Sequence, residues 1–251
     1  MDRRTYEIEA SVERDHWWFR GRRKILRRFL SELSPPLSVG ARVLDVGCGT
    51  GANGGVVAES GRFAVGIDAS PIPLGLPGGG HSARVRGDAQ RLPFRDESFD
   101  GLTALDILEH LDDDAKGAAE LFRVLAPGGS AVIFVPALEI LWGLQDDVSH
   151  HRRRYGKSQL VDVVSGAGFE VRRVTFFNTL LFPPIFAARM AMRFYRPAHL
   201  ASENQLSGRF TNTLLTAIFG LEAAIVQRLD LPVGVSLACV AVKPGGTLAA
   251  P

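Results

Sequence analysis

The chain has 251 residues, enough for one large α/β domain with a substantial core. Its 29 basic and 27 acidic residues leave a net charge of only +2, which argues against bulk nucleic-acid binding and against an acidic macromolecular partner. Two cysteines, Cys48 and Cys239, lack the spacing of a disulfide framework or a zinc site and predict a reducing, cytoplasmic setting; the polar amino terminus, with no apolar stretch or cleavage signature, predicts no export.

Residues 1–34 read as a polar helical lead-in, interrupted by His16, Trp17, Trp18 and Phe19 and closed by Pro35 and Pro36; 1–40 form an amino-terminal cap segment. Its aromatic cluster either anchors the segment or closes over a ligand. Arg20, Arg22, Arg23, Lys24, Arg27 and Arg28 read as a solvated face, or as a site for a cofactor carboxylate, an acidic substrate or anionic lipid.

The main domain, 41–251, opens on VLDVGCGTGA. Val43, Leu44 and Val46 form a buried strand, and Gly47, Gly49 and Gly51 follow where strand must turn into helix. Without a Cβ, such a turn lets backbone approach a ligand at the strand's carboxyl end. The run satisfies both G-x-G-x-G and the dinucleotide fingerprint G-x-G-x-x-G/A. A second strand over 63–67 ends in Asp68, whose carboxylate suits ribose hydroxyls in either case.

Residues 71–80 contain three prolines and four glycines, predicting a short helix or a loop in place of the usual crossover helix. Strands follow over 83–86, leading into Gly87-Asp88-Ala89, and over 99–105. A helix over 112–124, a turn over 125–129 and an apolar strand over 130–135 come next. A polar loop reaches Tyr155, then a helix over 158–167 and a strand over 169–177. Apolar helices over 180–195 and 210–229 precede a last strand over 235–242. Pro183, Pro184, Arg189 and Glu222 argue against membrane spans and for a buried or substrate-covering insert, about 179–230, with interfacial membrane contact as the alternative.

In this order, VLDVGCGTGA, VGID, GDAQRLPF, SFD, LTALDILEHL and LFRVLAPGG resemble the class I S-adenosylmethionine-dependent methyltransferases, in particular the ubiquinone- and menaquinone-biosynthesis branch, over 43–169. The resemblance implies a Rossmann-like, doubly wound seven-stranded sheet with an antiparallel last strand. It also implies that Gly47, Cys48, Gly49 and Gly51 pack against the methionine and ribose of S-adenosylmethionine. Asp68, with Ala69 beside it, would hold the ribose, and Asp88 with Ala89 the adenine edge. Asp45 would orient the loop or the cofactor ammonium, and Leu105 would lie near the methionine chain. A nicotinamide (NAD(P)) oxidoreductase has no reason to carry GDA, SFD and LAPGG at these spacings.

Methyl transfer from a sulfonium, which leaves S-adenosylhomocysteine, mainly requires alignment and exclusion of water, and an oxygen acceptor also gains from a base. His150, preceded by Asp146 and Asp147, is the favoured base, His151 less so; His110 of the EHL motif is a further candidate or a helix cap. Arg152, Arg153 and Arg154 could meet an anionic group or brace the loop. No metal is expected. The reading is a cytoplasmic methyltransferase of a small-molecule acceptor, oxygen favoured, with a lipid-linked or isoprenoid substrate and peripheral membrane contact as sub-hypotheses. A catalytically silent cofactor-binding partner or sensor is the class-level alternative. Oligomeric state is not legible.

Overall fold

The computed structural model describes residues 10–76, 79–194 and 208–245. A seven-stranded sheet runs in the order β3-β2-β1-β4-β5-β7-β6. Its strands are β1 (Arg42–Val46), β2 (Phe63–Asp68), β3 (Ala83–Arg86), β4 (Phe99–Leu105), β5 (Leu125–Pro136), β6 (Glu170–Phe177) and β7 (Ser236–Val242). Pairings among the first five are parallel, whereas β7 is antiparallel to both β5 and β6, as the resemblance implies.

Both faces of the sheet are covered, which is why β5 reads as a continuous apolar run. Ala131, Ile133 and Val135 join one core cluster, with Leu121 and Val124 of α4 (Asp114–Val124) and Leu160 and Val164 of α6 (Lys157–Gly166). Their alternates Val132 and Phe134 face the second cluster, built by α1 (Trp17–Ser31) and α8 (Arg209–Val226). Gly21 is what lets these two helices meet: a Cβ there would sit 1.9 Å from the Phe219 ring.

The segment after β2 is a four-residue helix, α3 (Pro71–Leu74), as its composition predicts. The remaining helices are α2 (Gly54–Val57), α5 (Leu144–Ser149) and α7 (Phe182–Phe194). Leu125–Gly129, expected as a turn, instead belongs to β5: between the pairs Phe99↔Leu125 and Gly101↔Ser130 its extra residues form an irregularity in the ladder. Among the described residues α8 alone is long and apolar enough to cross a membrane, but it packs Phe219, Ala223 and Val226 into the core and buries Glu222. The expected end of the first insert helix, Tyr195, lies outside the described residues.

Candidate active site

A cavity of about 820 Å³ opens at the carboxyl ends of β1, β2 and β4, where open α/β sheets bind ligands. Gly47 and Gly49, with φ of 73° and 52°, bring backbone to its wall, and Cys48 sits between them. Asp68 faces it with Ala69 and Ser70; its Oδ2 accepts from Gly49 N at 2.9 Å and its Oδ1 from Ser70 N at 2.8 Å. This carboxylate therefore fixes the glycine turn as well as facing the ligand space. Burial raises its pKa against these two hydrogen bonds, so further donors, such as a pair of ribose hydroxyls, would favour the ionised form. Burial also pushes the Cys48 thiol well up, helped by Asp45 and Asp68, and it stays protonated.

Other cofactor candidates lie elsewhere. Asp45 is behind the loop, its Oδ1 accepting from Thr103 Oγ1 at 2.6 Å and its Oδ2 2.9 Å from His81 Nε2, so it braces β1 and does not line the cavity. Gly51 serves the turn, donating to Cys48 O at 2.9 Å. Asp88 is exposed and its side chain accepts from Gln90 N, while Ala89 packs in the core; neither lines the cavity. Leu105 does line it.

The opposite end is polar. Asp146, 1% exposed, gathers four donors: His151 Nδ1 and Arg154 at 2.8 Å on Oδ1, Gly143 N at 2.8 Å and Arg189 at 3.3 Å on Oδ2. Burial opposes its ionisation, but the His151 hydrogen bond and the Arg154 and Arg189 charges outweigh it and hold the pKa at about 2. An ionised Asp146 can only accept, so Nδ1 of His151 donates and a neutral ring presents Nε2 as its lone pair. His151 lines the cavity. His150 does not: as the left-handed cap of α5, with φ of 56°, it is turned out to solvent, which corrects the expectation that it is the base.

His110 also lines the cavity, its ring edge-on to His151 with centroids 4.7 Å apart. Burial, then His151, lowers its pKa to about 3, which makes it a poor base. The two loops are zipped together: Arg152 N donates to Glu109 O at 2.8 Å, and Arg153 reaches Leu111 O at 2.9 Å. Arg152 pairs with Asp112 and Arg153 with Asp114, so these arginines brace the loop. Glu109, fully buried, has neither carboxylate oxygen hydrogen-bonded, and burial, then Asp106, raises its pKa. Glu109, His110 and His151 each place a ligand atom within 4.8 Å of the others.

Further cavity residues lie outside the cofactor motifs. Glu13 accepts from the Thr50 hydroxyl, laying the lead-in segment across the glycine loop, and Arg22 pairs with Asp106. Trp17 and Trp18 line the cavity and also pack on Phe219, so anchoring and covering coincide. Asn178, buried and with φ of 59°, faces the cavity with both side-chain polar atoms unpartnered. Ile185, Ala188 and Met192 of α7 and Leu215 of α8 supply an apolar wall from the insert.

Residues 44–133 match the methyltransferase domain family. A probable S-adenosylmethionine-dependent methyltransferase of Mycolicibacterium smegmatis is 28% identical over 62% of this chain and 61% of its own. The demethylmenaquinone methyltransferase of Mycobacterium marinum is 34% identical over 52% of this chain and 54% of its own. The chain thus spans little more than half the length of these curated relatives. Among solved structures, a putative methyltransferase of Haloferax volcanii, in complex with its Trm112 activator, superimposes with a TM-score of 0.62 at 20% identity over 95% of this chain and 94% of that one. Residues 44–133 thus resemble a methyltransferase domain, and the chain has the fold of the class I S-adenosylmethionine-dependent methyltransferases.

Proposed function

We propose that the protein transfers a methyl group from S-adenosylmethionine to an oxygen of a small, largely apolar acceptor. The observation that carries this reading is one cavity with a glycine loop and Asp68 at one end, the Asp146–His151 pair at the other, and an apolar wall from the insert between them. When bound, S-adenosylmethionine supplies a methyl group already activated by its sulfonium. The chain's task is alignment, exclusion of water and handling of the acceptor proton.

Asp68 and the backbone around Gly47 and Gly49 hold the nucleoside end. Trp17 and Trp18, carried by α1, close that part of the cavity to water. The acceptor hydroxyl is directed at His151, whose ring Asp146 fixes, and Asn178 offers a second, unpartnered polar contact. His151 rather than His110 deals with the proton. The side chains of Ile185, Met192 and Leu215 favour a flat or prenylated acceptor over a charged one. A lipid-linked acceptor also suits the outer surface, where Phe210 and Leu221 of α8 are exposed.

Incubation with methyl-labelled S-adenosylmethionine and a panel of apolar phenols and hydroquinones tests the reading. Label is expected in an O-methyl product, falling about 10²- to 10⁴-fold for His151→Gln. Thermal stabilisation by NAD but not by S-adenosylhomocysteine would sink it.

A further inference from the structure

We propose that Glu109, His110 and His151 form a binding site for a divalent transition-metal cation at the acceptor end of the cavity. The inference deepens the methyltransferase reading and rests on it for its purpose, though not for its test. Three observations carry it. The three side chains come from two loops that are locked together by the Arg152 and Arg153 backbone contacts, and their ligand atoms lie within 4.8 Å of one another. Bringing them onto one ion at ordinary bond lengths of about 2.0–2.2 Å needs only a modest contraction.

The second observation is Glu109 itself. It is 0% exposed and neither carboxylate oxygen has a hydrogen-bond partner, so its ionised form lacks any direct ligand and is costly there, with only the charges of Arg22 and Arg154 to offset burial. A cation supplies that direct contact. Third, the histidines have the surroundings of ligands. Asp146 holds Nδ1 of His151 at 2.8 Å and leaves the other nitrogen free, the carboxylate–histidine–metal relay that orients metal-bound imidazoles.

Two imidazoles and one carboxylate are a borderline donor set. It suits zinc, iron(II) or manganese better than calcium or magnesium, which prefer oxygen. Three protein ligands leave positions open, and His110 and His151 both face the cavity, so the open side of the ion would meet the acceptor. There the ion acts as a Lewis acid on the acceptor hydroxyl. With the ion bound, Nε2 of His151 is a ligand and no longer the base, so the O–H proton, made more acidic by the ion, leaves to solvent. The oxygen then forms a bond to the sulfonium methyl carbon, and the S–CH₃ bond breaks with its electron pair going to sulfur. Sequence spacing could not show this site, because its ligands sit on loops that follow different strands.

Zinc binding to the full chain, after stripping with a chelator and without cofactor, is the test. One equivalent by calorimetry and elemental analysis is expected, with a raised melting temperature. Cobalt(II) should give visible absorption of a nitrogen and oxygen site. Glu109→Gln and His151→Gln should each weaken zinc binding at least tenfold, while His150→Gln, outside the cavity, should leave it unchanged. S-adenosylhomocysteine affinity of Glu109→Gln close to that of the parent shows that the variant is folded, and His151→Gln serves if it is not. Substoichiometric binding, or binding that neither substitution weakens, overturns the site. Loss of S-adenosylhomocysteine binding by the parent would instead overturn the methyltransferase reading, with the zinc result standing on its own.

Discussion

At the scale of single residues, Asp146 organises the acceptor end. It is almost fully buried, yet it is ionised because His151, Arg154 and Arg189 surround it, and Arg154 is itself fastened to Ala137 O at 2.8 Å and Val235 O at 3.0 Å. One carboxylate therefore ties the loop after β5 to the start of β7 and to α7, and it sets the ring orientation of His151. Asp146→Asn keeps the size but leaves two buried guanidinium groups without their counter-charge. A loss of about 3 kcal/mol is expected from urea unfolding, the scale for breaking a buried ion pair from one side. Turnover should fall further than stability, because an Asn can present its amide instead of an oxygen and let the ring flip. A variant that unfolds at the parent's midpoint and retains full turnover would remove Asp146 from both roles.

At the scale of elements, the insert is held by Glu222 of α8. Its Oε2 accepts from Thr179 N at 2.9 Å and Leu180 N at 2.8 Å, which turns the chain out of β6 and into α7. Burial raises its pKa above the ordinary 4.5, only partly offset by these backbone donors. The native state therefore holds this proton more tightly than the unfolded chain does. Its contribution is fully present below about pH 4.5 and declines as pH rises through the raised native value. Glu222→Gln, which cannot ionise, should lose this slope and be at least as stable as the parent at pH 8. Glu222→Ala should cost about 2 kcal/mol at pH 5, by freeing two part-buried N–H groups, and less at pH 8, where the parent has lost the advantage of the protonated carboxyl. Urea midpoints at pH 5 and pH 8 check both; a Gln variant with the parental slope would assign the titration to another group.

Elements were legible wherever the apolar period and the breakers agreed. The β1 run and the short α3 after Asp68 follow from local pattern, whereas the β6–β7 pairing follows from the family resemblance. LAPGG misleads because its proline and glycines read as a stop, yet they bulge within a strand that already pairs at Phe99. The glycine loop and Asp68 were legible for the same local reason. The acceptor end was not, since one left-handed residue at the end of α5 decides that His151 and not His150 enters the cavity, and periodicity carries no trace of that turn. Asn178 and Glu13 reach the site only through long-range packing.

At the scale of the whole molecule, the cavity is walled by the lead-in segment and by the insert, and Asn212 adds a polar link to the packing between them. Asn212 of α8 accepts from Trp17 N at 2.7 Å through its Oδ1 and donates through Nδ2 to Asp15 O at 2.8 Å. Glu13 then reaches Thr50 on the glycine loop and Arg22 reaches Asp106 beyond β4, so the lead-in segment spans the cofactor end and is pinned on both sides. Each polar fastening of this cover is a hydrogen bond or a partly exposed ion pair worth about 0.5–3 kcal/mol, so its outer part opens at little cost while Trp17 and Trp18 stay packed on Phe219. A ligand that needs the closed form must then stabilise the cover in return. S-adenosylhomocysteine is expected to slow amide hydrogen exchange across 12–22 more than in β1 or β5, which are protected by the sheet. Asn212→Ala should speed exchange of the same stretch in the free protein and raise the Kd for S-adenosylhomocysteine several-fold through faster release, with a melting temperature close to the parent's. Ligand-independent exchange across 12–22, together with an unchanged Kd in the variant, would show that this segment is a fixed wall and that ligand enters from the side of the insert.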